Sequence, residues 1–435
     1  MAAKSLERPI LNPAFPSIKF FNGRLLTGED LSAEQAANRE GRRRLGEVIG
    51  EGIAYGLEVS LPEPTGPKPT VTVSAGVAVN RLGQTVVLAN DEDLLLVPPP
   101  EGNQADSTLV GFARCVPPEA GVYVAGEGIY LLTIAPAFGG AGLAPVSGLG
   151  NTEAKCNRKY ILEGATFRLI QLDFRRDLNL SNAELNNPNQ LRNVVAYKCF
   201  GVEDVAAQSF LSNPFGPQVE KYGVLDNLRP NRLTDCEVPL ALLHWKDGRD
   251  GKDKAGIKFI DLWAVRRRIT KPSVSDSWNF VVGDRRRSEA EAMFLQFQAQ
   301  IADLVQSGGL SAVAATQYFS FLPSVGILPV AASRSQSGFA MGKVFSGLTV
   351  RGPAFIEGAK LESLIRLSFT YPPIDLSSGE LIWLYQVREN MEAVDYNPGN
   401  PPQAYLVFAS GHMPYLADAR FDTARWDYSN YALEQ

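Results

Sequence analysis

Ser410, His412 and Asp418 are the residue types of a hydrolytic triad, and they follow one another near the carboxyl end of the chain. Such triads are assembled from separate parts of a fold, because the nucleophile, the base and its orienting acid converge from different elements. Three residues in one short stretch do not meet that requirement. We therefore expect a hydrogen-bonded structural loop here, and we predict no catalytic residue and no enzymatic activity.

Histidine and cysteine are too sparse to predict a metal centre. The chain has 2 histidines and 4 cysteines, with no Cys-x-x-Cys motif and no histidine at ligand spacing. The cysteines are Cys115, Cys156, Cys199 and Cys236. So few in a long chain are more often buried thiols, although an oxidising compartment would allow them to pair. We expect reduced cysteines, no metal and no cofactor.

Tryptophans and closely spaced glycines could indicate binding sites for two further kinds of ligand, sugars and phosphates. Tryptophans could stack on a sugar between a pair of acidic residues, as in glycosidases. The candidates are four of the chain's 5 tryptophans: Trp245, Trp263, Trp383 and Trp426. Each lies in or beside an apolar run, which favours packing. The glycines of residues 139–150 lack the lysine of a phosphate-binding motif, so we expect a strand to residue 136 followed by a glycine-rich loop.

Three arginine triplets, at residues 42–44, 266–268 and 285–287, form local positive patches. The chain as a whole is acidic, with 42 Lys and Arg against 47 Asp and Glu and a net charge of −5, so it offers no general attraction for nucleic acid. A solvated face is one interpretation of each triplet. We favour ion pairs within the chain or between subunits, and we expect no nucleic acid partner.

The elements that position these residues are mainly strands. The chain has 39 glycines and 29 prolines with 45% hydrophobic residues, which favours many turns and short strands. Alternation predicts strands across residues 51–180, with tight turns at Gly76 and Gly83, and a hairpin from 237–245 and 256–265. We expect a helix near 190–197. More strands follow from residue 339, one of them in the segment ESLIRLSFTY.

Two longer helices stand out. Thr27 and Asp30 have the spacing of a capping box, and a helix of about twenty residues should follow them. Its heptad-like seam is apolar at the ends and polar in the middle, so the helix needs a partner surface or lies in solvent. The seam is Leu31, Gln35, Asn38, Arg42, Leu45 and Ile49. A central helix should open at Ser288, with Glu291 as capping partner, and end at Gly308. Its apolar stripe is Met293, Phe294, Phe297, Ile301, Leu304 and Val305.

Together these patterns predict a β-rich α+β protein with two antiparallel β sandwich or barrel-like domains, an N-terminal helix and a central amphipathic helix. The expected divisions are an arm and docking helix (1–50), a β-rich domain (51–180), a mixed region with a hairpin (181–285), the central helix (286–309) and a C-terminal β-rich domain with an aromatic tail (310–435). The sequence shows no signal region at its start and no unbroken apolar span. We expect cytoplasmic assembly without direct membrane insertion.

The segment FFNGRLLTGEDLSAEQ resembles the start of a family of phage-tail-like proteins encoded with contractile injection systems. Later segments are similar to the same family: VTVSAGVAVNRLGQTVVL, KCNRKYILEGATFRLIQLD, VPLALLHW, FIDLWAVRRRI and SGHMPYLADARFDTARWDYSNYAL. The resemblance spreads over most of the chain. It implies a structural component of the baseplate or its surrounding cage or fibres, present in many copies and bound to copies of itself and to other particle subunits. It carries over no catalytic residue.

We expect the arm and helix, residues 8–50, to dock on a neighbour and the aromatic tail to supply a second contact. Candidate interface residues are Leu31, Arg42, Arg43, Arg44, Arg266, Arg267, Arg268, Phe421, Trp426, Tyr428 and Tyr431. Packing of the tail on its own domain is the alternative. Another possible function is a fibre-like surface or glycan-binding module, which needs a concave site lined by exposed tryptophans. An envelope hydrolase would need a cleft with two carboxylates about 5 to 9.5 Å apart.

Overall fold

A computed structural model describes residues 18–23, 25–62, 69–98, 120–124, 126–145, 156–201, 223–229, 231–246, 255–270, 284–331, 338–387 and 403–416. Over that part of the chain, eight α-helices accompany five sheets of mostly antiparallel strands, and none of these sheets closes into a barrel. The protein is therefore a β-rich α+β fold, which confirms the predicted fold class.

The helices are α1 (Gly28–Ile49), α2 (Asn182–Leu185), α3 (Pro188–Phe200), α4 (Gly223–Leu228), α5 (Asp284–Ser307), α6 (Ala315–Tyr318), α7 (Met341–Val344) and α8 (Leu361–Ser368). The strands of the first half are β1 (Gly52–Gly56), β2 (Val59–Ser60), β3 (Thr70–Val73), β4 (Gly76–Val79), β5 (Thr85–Leu88), β6 (Glu92–Leu95), β7 (Gly128–Pro145) and β8 (Cys156–Leu172). Those of the second half are β9 (Val238–Lys246), β10 (Gly256–Asp261), β11 (Phe321–Leu322), β12 (Val325–Val330), β13 (Val350–Ile356), β14 (Ile374–Asp375), β15 (Ile382–Val387) and β16 (Ala404–Ser410). Single 3-10 turns precede α6 and α8 at Leu310–Ala312 and Gly358–Lys360. The predicted helix near 190–197 and the predicted hairpin of β9 and β10 are confirmed.

The first unit is built on a four-stranded sheet in the order β10, β9, β7, β8. Side chains of β7 alternate between its two faces, as the period of two requires. Tyr130 and Leu132 enter a core shared with two small sheets, β1–β4–β5 and β2–β3–β6. Ile129 and Leu131 enter a second core that is covered by α3 and the start of α5. The main sheet is thus covered by strands on one face and by helices on the other.

The second unit is a four-stranded sheet in the order β12, β16, β15, β13, in which only β13 and β15 run parallel. Leu406 and Phe408 of β16 face a core that α5 completes. Val407 and Ala409, on the opposite face, pack with α8. The segment ESLIRLSFTY forms this helix and not the predicted strand. Its apolar positions recur at helical spacing and so cover one face of the sheet.

Helix α5 joins the two units, because its apolar stripe belongs to both. Met293 lies in the core of the first unit, whereas Phe297 and Ile301 lie in the core of the second. The predicted stripe is confirmed. The predicted start is wrong, because the helix already begins at Asp284 and Ser288 lies inside it. Arginine favours helix, so the preceding triplet extends α5 upstream. The helix ends before Gly308, whose φ is 78°.

Two expectations about glycines need correction. Residues 139–145 continue β7 instead of forming a loop, because β8 supplies a paired partner along them, with Gly139 opposite Leu162 and Gly140 opposite Ile161. Gly76 begins β4 and is no hairpin turn, since β3 and β4 lie in different sheets. A Cβ at Gly76 would lie 2.4 Å from the carbonyl oxygen of Tyr55, which is too close for any side chain. Glycine at this position therefore permits the close pairing of β4 with β1.

Candidate functional site

Helix α1 is fixed at its start and along its inner face. The predicted capping box is present, because the Asp30 amide donates to Thr27 Oγ1 at 3.2 Å and the Thr27 amide donates to Asp30 Oδ2 at 3.1 Å. Near the other end, Arg43 donates to the carbonyl oxygen of Leu82 at 3.2 Å. Gly46 packs directly on the turn at Gly83, where φ is 72° and where a turn was predicted. These contacts hold the helix against the hairpin of β4 and β5.

The outer face of α1 has no covering partner within the described part of the chain. The apolar seam residues are exposed to 52% at Leu31, 66% at Leu45 and 53% at Ile49, and the neighbouring Val48 to 73%. A helix of a folded domain normally turns such residues toward the core. The apolar positions of the α1 seam therefore point away from the chain's own core.

The arginine triplet of α1 is divided between these two faces. Arg42 and Arg44 are exposed, and Arg44 lies 3.7 Å from Glu40. Arg43 is half-buried and forms ion pairs with Glu40, at 2.6 Å, and with Glu47. Of the three, Arg42 and Arg44 are placed where a neighbouring molecule could reach them, while Arg43 binds within its own helix and turn.

A second exposed apolar surface lies on the far half of the β7–β8 hairpin. Strand β9 pairs with β7 only as far as Ile134, so residues 135–145 and 156–166 pair with each other and with no third strand in the described part of the chain. We call this two-stranded segment the hairpin arm. Tyr160, Ile161 and Leu162 are each exposed to more than half of their surface, at 54%, 56% and 51%. Sequence analysis missed the arm, because the pairing of these three residues with Ala141, Gly140 and Gly139 depends on a distant segment of the chain.

The helix and the arm approach each other across a cleft of about 290 Å³. The helix side carries the charged residues Arg39, Glu40 and Arg42. The arm side carries the apolar Phe138 and Ile161 together with Glu163. A cleft that combines charged side chains with an apolar wall suits an amphipathic protein segment better than a small polar ligand.

The second arginine triplet is built into the fold. Arg266 is buried and donates to the carbonyl oxygens of Leu57 at 2.9 Å and Gly56 at 2.5 Å. Arg267 forms an ion pair with Glu289 at 2.5 Å. Both guanidinium groups are therefore occupied within the chain, which leaves only Arg268 of this triplet on the surface.

Arg268 is exposed and lies 3.0 Å from Glu291. In the third triplet, all three arginines belong to α5; Arg287 is exposed, and the side chains of residues 285 and 286 lie outside the described residues. The aromatic tail is also outside the described residues, including Phe421, Trp426, Tyr428 and Tyr431. The structure thus describes the helix half of the predicted interface and not the tail half.

Ser410 and His412 do not have the geometry of a catalytic pair. Ser410 is fully buried, and its hydroxyl lies 2.5 Å from Glu380 Oε1. His412 Nε2 lies 3.7 Å from the same carboxylate oxygen, and the His412 amide donates to Ser410 Oγ at 3.2 Å. The imidazole is thus not positioned to take a proton from the serine. Asp418 lies outside the described residues.

The described tryptophans sit at the borders of the cores. Trp245 and Trp263 are partly buried against the two cores of the first unit. Trp383 packs in the second unit beside Tyr415, with ring centroids 4.8 Å apart. Trp426 is outside the described residues. No concave surface lined by exposed tryptophans is formed by the three that are described.

A small cavity of about 60 Å³ is lined in part by charged side chains held in ion pairs. Arg81 binds Glu51 at 2.6 Å and Asp226 at 3.1 Å. These carboxylates outweigh the effect of burial and raise the pKa of Arg81, whereas burial and the neighbouring Arg81 lower the pKa of Arg229. Because its carboxylates are paired with arginines, this cavity suits a few water molecules better than acid–base chemistry.

The described cysteine side chains differ in state. Cys199 is a free thiol, and complete burial raises its pKa to about 12. Cys236 is disulfide-bonded, which corrects the expectation that all the cysteines are reduced. The side chains of Cys115 and Cys156 lie outside the described residues. Over the described residues, no group of three or more His, Cys, Asp and Glu side chains could hold a metal ion.

Two further findings bear on the class of protein. Among the helices of the described residues, none combines the length and apolar character that crossing a membrane requires. The sequence matches no protein-family model and has no significant match among curated proteins.

Proposed function

We propose that the protein is a structural subunit of a contractile injection system, at or around the baseplate, which acts through protein–protein assembly. The observation that carries this proposal is the exposed outer face of α1. Leu45, Val48 and Ile49 form one apolar patch at its end, on a helix whose other face is anchored to the fold. Burying large aliphatic side chains contributes about 1.5 to 3 kcal/mol each, so a patch of this kind supports a stable contact.

The hairpin arm supports the same function by a different route. Its two strands leave backbone hydrogen-bonding groups on both edges beyond the end of β9. An isolated two-stranded hairpin is only marginally stable in water, and free strand edges pair readily with other chains. A neighbouring subunit that adds a strand to the arm would satisfy these groups, and its side chains would pack beside Tyr160 and Leu162 on one face and beside Ile161 on the other.

The proposed contacts do not by themselves indicate which assembly the protein joins. The resemblance of FFNGRLLTGEDLSAEQ and later segments to phage-tail-like proteins favours a contractile injection system. Within it, the partners are copies of this chain and other particle subunits, and the particle is assembled in the cytoplasm. The Cys236 disulfide adds a condition to this proposal. Thiols of cytosolic proteins are usually kept reduced, so the bridge would close only after the particle meets an oxidising compartment.

The test is co-sedimentation of the protein with large particles from the source cells, followed by mass spectrometry for sheath-like and tube-like proteins. Wild-type protein is expected in the pellet at moderate salt. The double variant Leu45→Glu with Ile49→Glu should leave the pellet, because it places two charges in the patch. Arg366→Glu changes the net charge equally at a position whose side chain is 76% exposed on α8, and it should remain in the pellet. Wild-type protein that stays soluble and small would overturn the proposal.

A further inference from the structure

We propose that α1 pairs in antiparallel orientation with α1 of a second copy of this chain along the exposed seam. This inference rests on the proposed function in one respect, because it treats the outer face of α1 as a contact surface. The seam residues follow one another at alternating spacings of four and three, which is the repeat of a coiled coil. Its apolar ends, Leu31, Leu45 and Ile49, are each exposed to more than half of their surface, so they are available to a second helix.

The composition of the seam selects the antiparallel orientation. In the register centred on residue 40, Leu31 of one copy faces Ile49 of the other, and Gln35 faces Leu45. Asn38 then faces Arg42, and its side-chain oxygen can accept a hydrogen bond from the guanidinium group. A parallel pair would instead place Arg42 against Arg42 in the middle of the seam, and like charges in close contact cost several kcal/mol.

The helix dipoles favour the same orientation. Antiparallel helices oppose their two dipoles, whereas a parallel pair would align them.

Gly41 is an independent sign of a second helix at the same place. It lies in the middle of α1, where glycine costs about 1 kcal/mol relative to alanine. Nothing in the described part of this chain requires it, because a Cβ at Gly41 would have no heavy atom within 4 Å. The proposed register places Gly41 one residue from the two-fold axis. The absence of a side chain there lets two helix backbones approach closely.

The first test measures self-association of the full-length chain by analytical ultracentrifugation over a range of concentrations. Wild type should form a dimer that dissociates as the protein is diluted. The variant Leu45→Glu with Ile49→Glu should dissociate at least about a hundredfold more readily, since each charge would be buried against an apolar or uncharged residue. A wild type that is monomeric throughout, or a dimer that these substitutions leave intact, would overturn the inference.

The second test fixes the orientation. Asn38→Arg places a second guanidinium group against Arg42 of the other copy and should weaken the dimer by about a hundredfold or more. Asn38→Glu instead places a carboxylate against Arg42 of the other copy if the helices are antiparallel, so it should tighten the dimer. In a parallel pair the same substitution would oppose two glutamates at position 38 and weaken the dimer. Weaker association of Asn38→Glu would overturn the antiparallel pairing.

These measurements separate the inference from the proposed function. A chain that is monomeric when purified but co-sediments with particles overturns the self-pairing and leaves the proposed function standing. A chain that dimerises through α1 but is absent from particles overturns the proposed function and leaves the self-pairing standing. Circular dichroism of each variant checks that the chain is still folded.

Discussion

Gly46 on α1 and Gly83 in the β4–β5 turn touch backbone to backbone: a Cβ added to Gly46 would lie 2.0 Å from the carbonyl oxygen of Gly83. No side chain fits in that space. The contact therefore fixes how close the helix lies to the hairpin, and it determines which face of α1 is left outside.

Gly46→Ala should push the helix off the turn. We expect a loss of about 1 to 3 kcal/mol in the free energy of unfolding, as for an overpacked core, and faster proteolysis within residues 28–49. Gly41→Ala is the matched control, because its Cβ meets open space and alanine favours helix. It should stabilise the monomer by about 0.5 to 1 kcal/mol in urea unfolding at low protein concentration. Equal effects of the two substitutions would contradict the backbone contact.

The buried pair of Arg168 and Glu237 should be costly to break. Arg168 Nη2 and Glu237 Oε2 lie 2.6 Å apart, and the two side chains are only 11% and 5% exposed. Arg168→Met leaves a buried carboxylate without its cation, so we expect a loss of about 3 to 5 kcal/mol in urea unfolding at pH 7. Arg366→Met, at an exposed ion pair on α8, should cost no more than about 0.5 kcal/mol. A similar loss in both variants would show that the buried pair has no special role.

Glu237 should also make the free energy of unfolding depend on pH in the acid range. Burial alone would raise its pKa, but hydrogen bonds from Arg168 and Thr234 outweigh burial and hold the pKa below its usual range. The pair thus stabilises the fold above the ordinary carboxyl pKa of about 4.3, and this contribution is lost as pH falls through the lowered value. Glu237→Gln should flatten the acid limb of the curve of unfolding free energy against pH. An unchanged limb would contradict the assignment.

His244 should make the free energy of unfolding depend on pH in a higher range than Glu237 does. Burial lowers its pKa from 6.5 to about 4, and Lys246 and Lys258 act in the same direction. Between these values the unfolded chain binds a proton that the folded chain does not, so stability should fall as pH drops through this range, by up to about 3 kcal/mol. His244→Gln should remove that slope in urea unfolding series across this range. A variant with the same slope as wild type would show that another group is responsible.

The number of thiols is a direct check on the cysteines. Because Cys236 is disulfide-bonded, the chain should show two free thiols among its 4 cysteines when denatured without reductant. In the native protein Cys199 should not react with a thiol reagent, since it is buried and its pKa is raised to about 12. Four thiols in the denatured chain would mean that the disulfide is absent. The same count on protein from isolated particles reports the compartment in which the bridge closed.

The features that sequence analysis predicted well are local. The start of α1 depends on Thr27 and Asp30, which are three residues apart, so the signal and the structure lie in the same turn. The stripe of α5 likewise repeats within one helix. The exposed seam could be predicted because its polar middle made it unsuitable for the core of its own chain.

The features that it missed depend on distant partners. The length of β7 is set by β8, which pairs Gly139 with Leu162, and no property of the glycine-rich segment alone shows this. The hairpin arm was missed for the same reason. Helix α8 is a different kind of error, because the spacing of Leu361, Leu364 and Ile365 was visible, but the density of apolar residues favoured a strand.

Helix α5 gives the molecule a mechanical property. Its 24 residues form a rod about 36 Å long, and different parts of it are embedded in different cores. We expect tension applied to the first unit to be transmitted along α5 to the second sheet, because both cores hold the same helix. Neither core can release α5 without exposing its apolar side chains to water. We therefore expect the two units to unfold together under mechanical load.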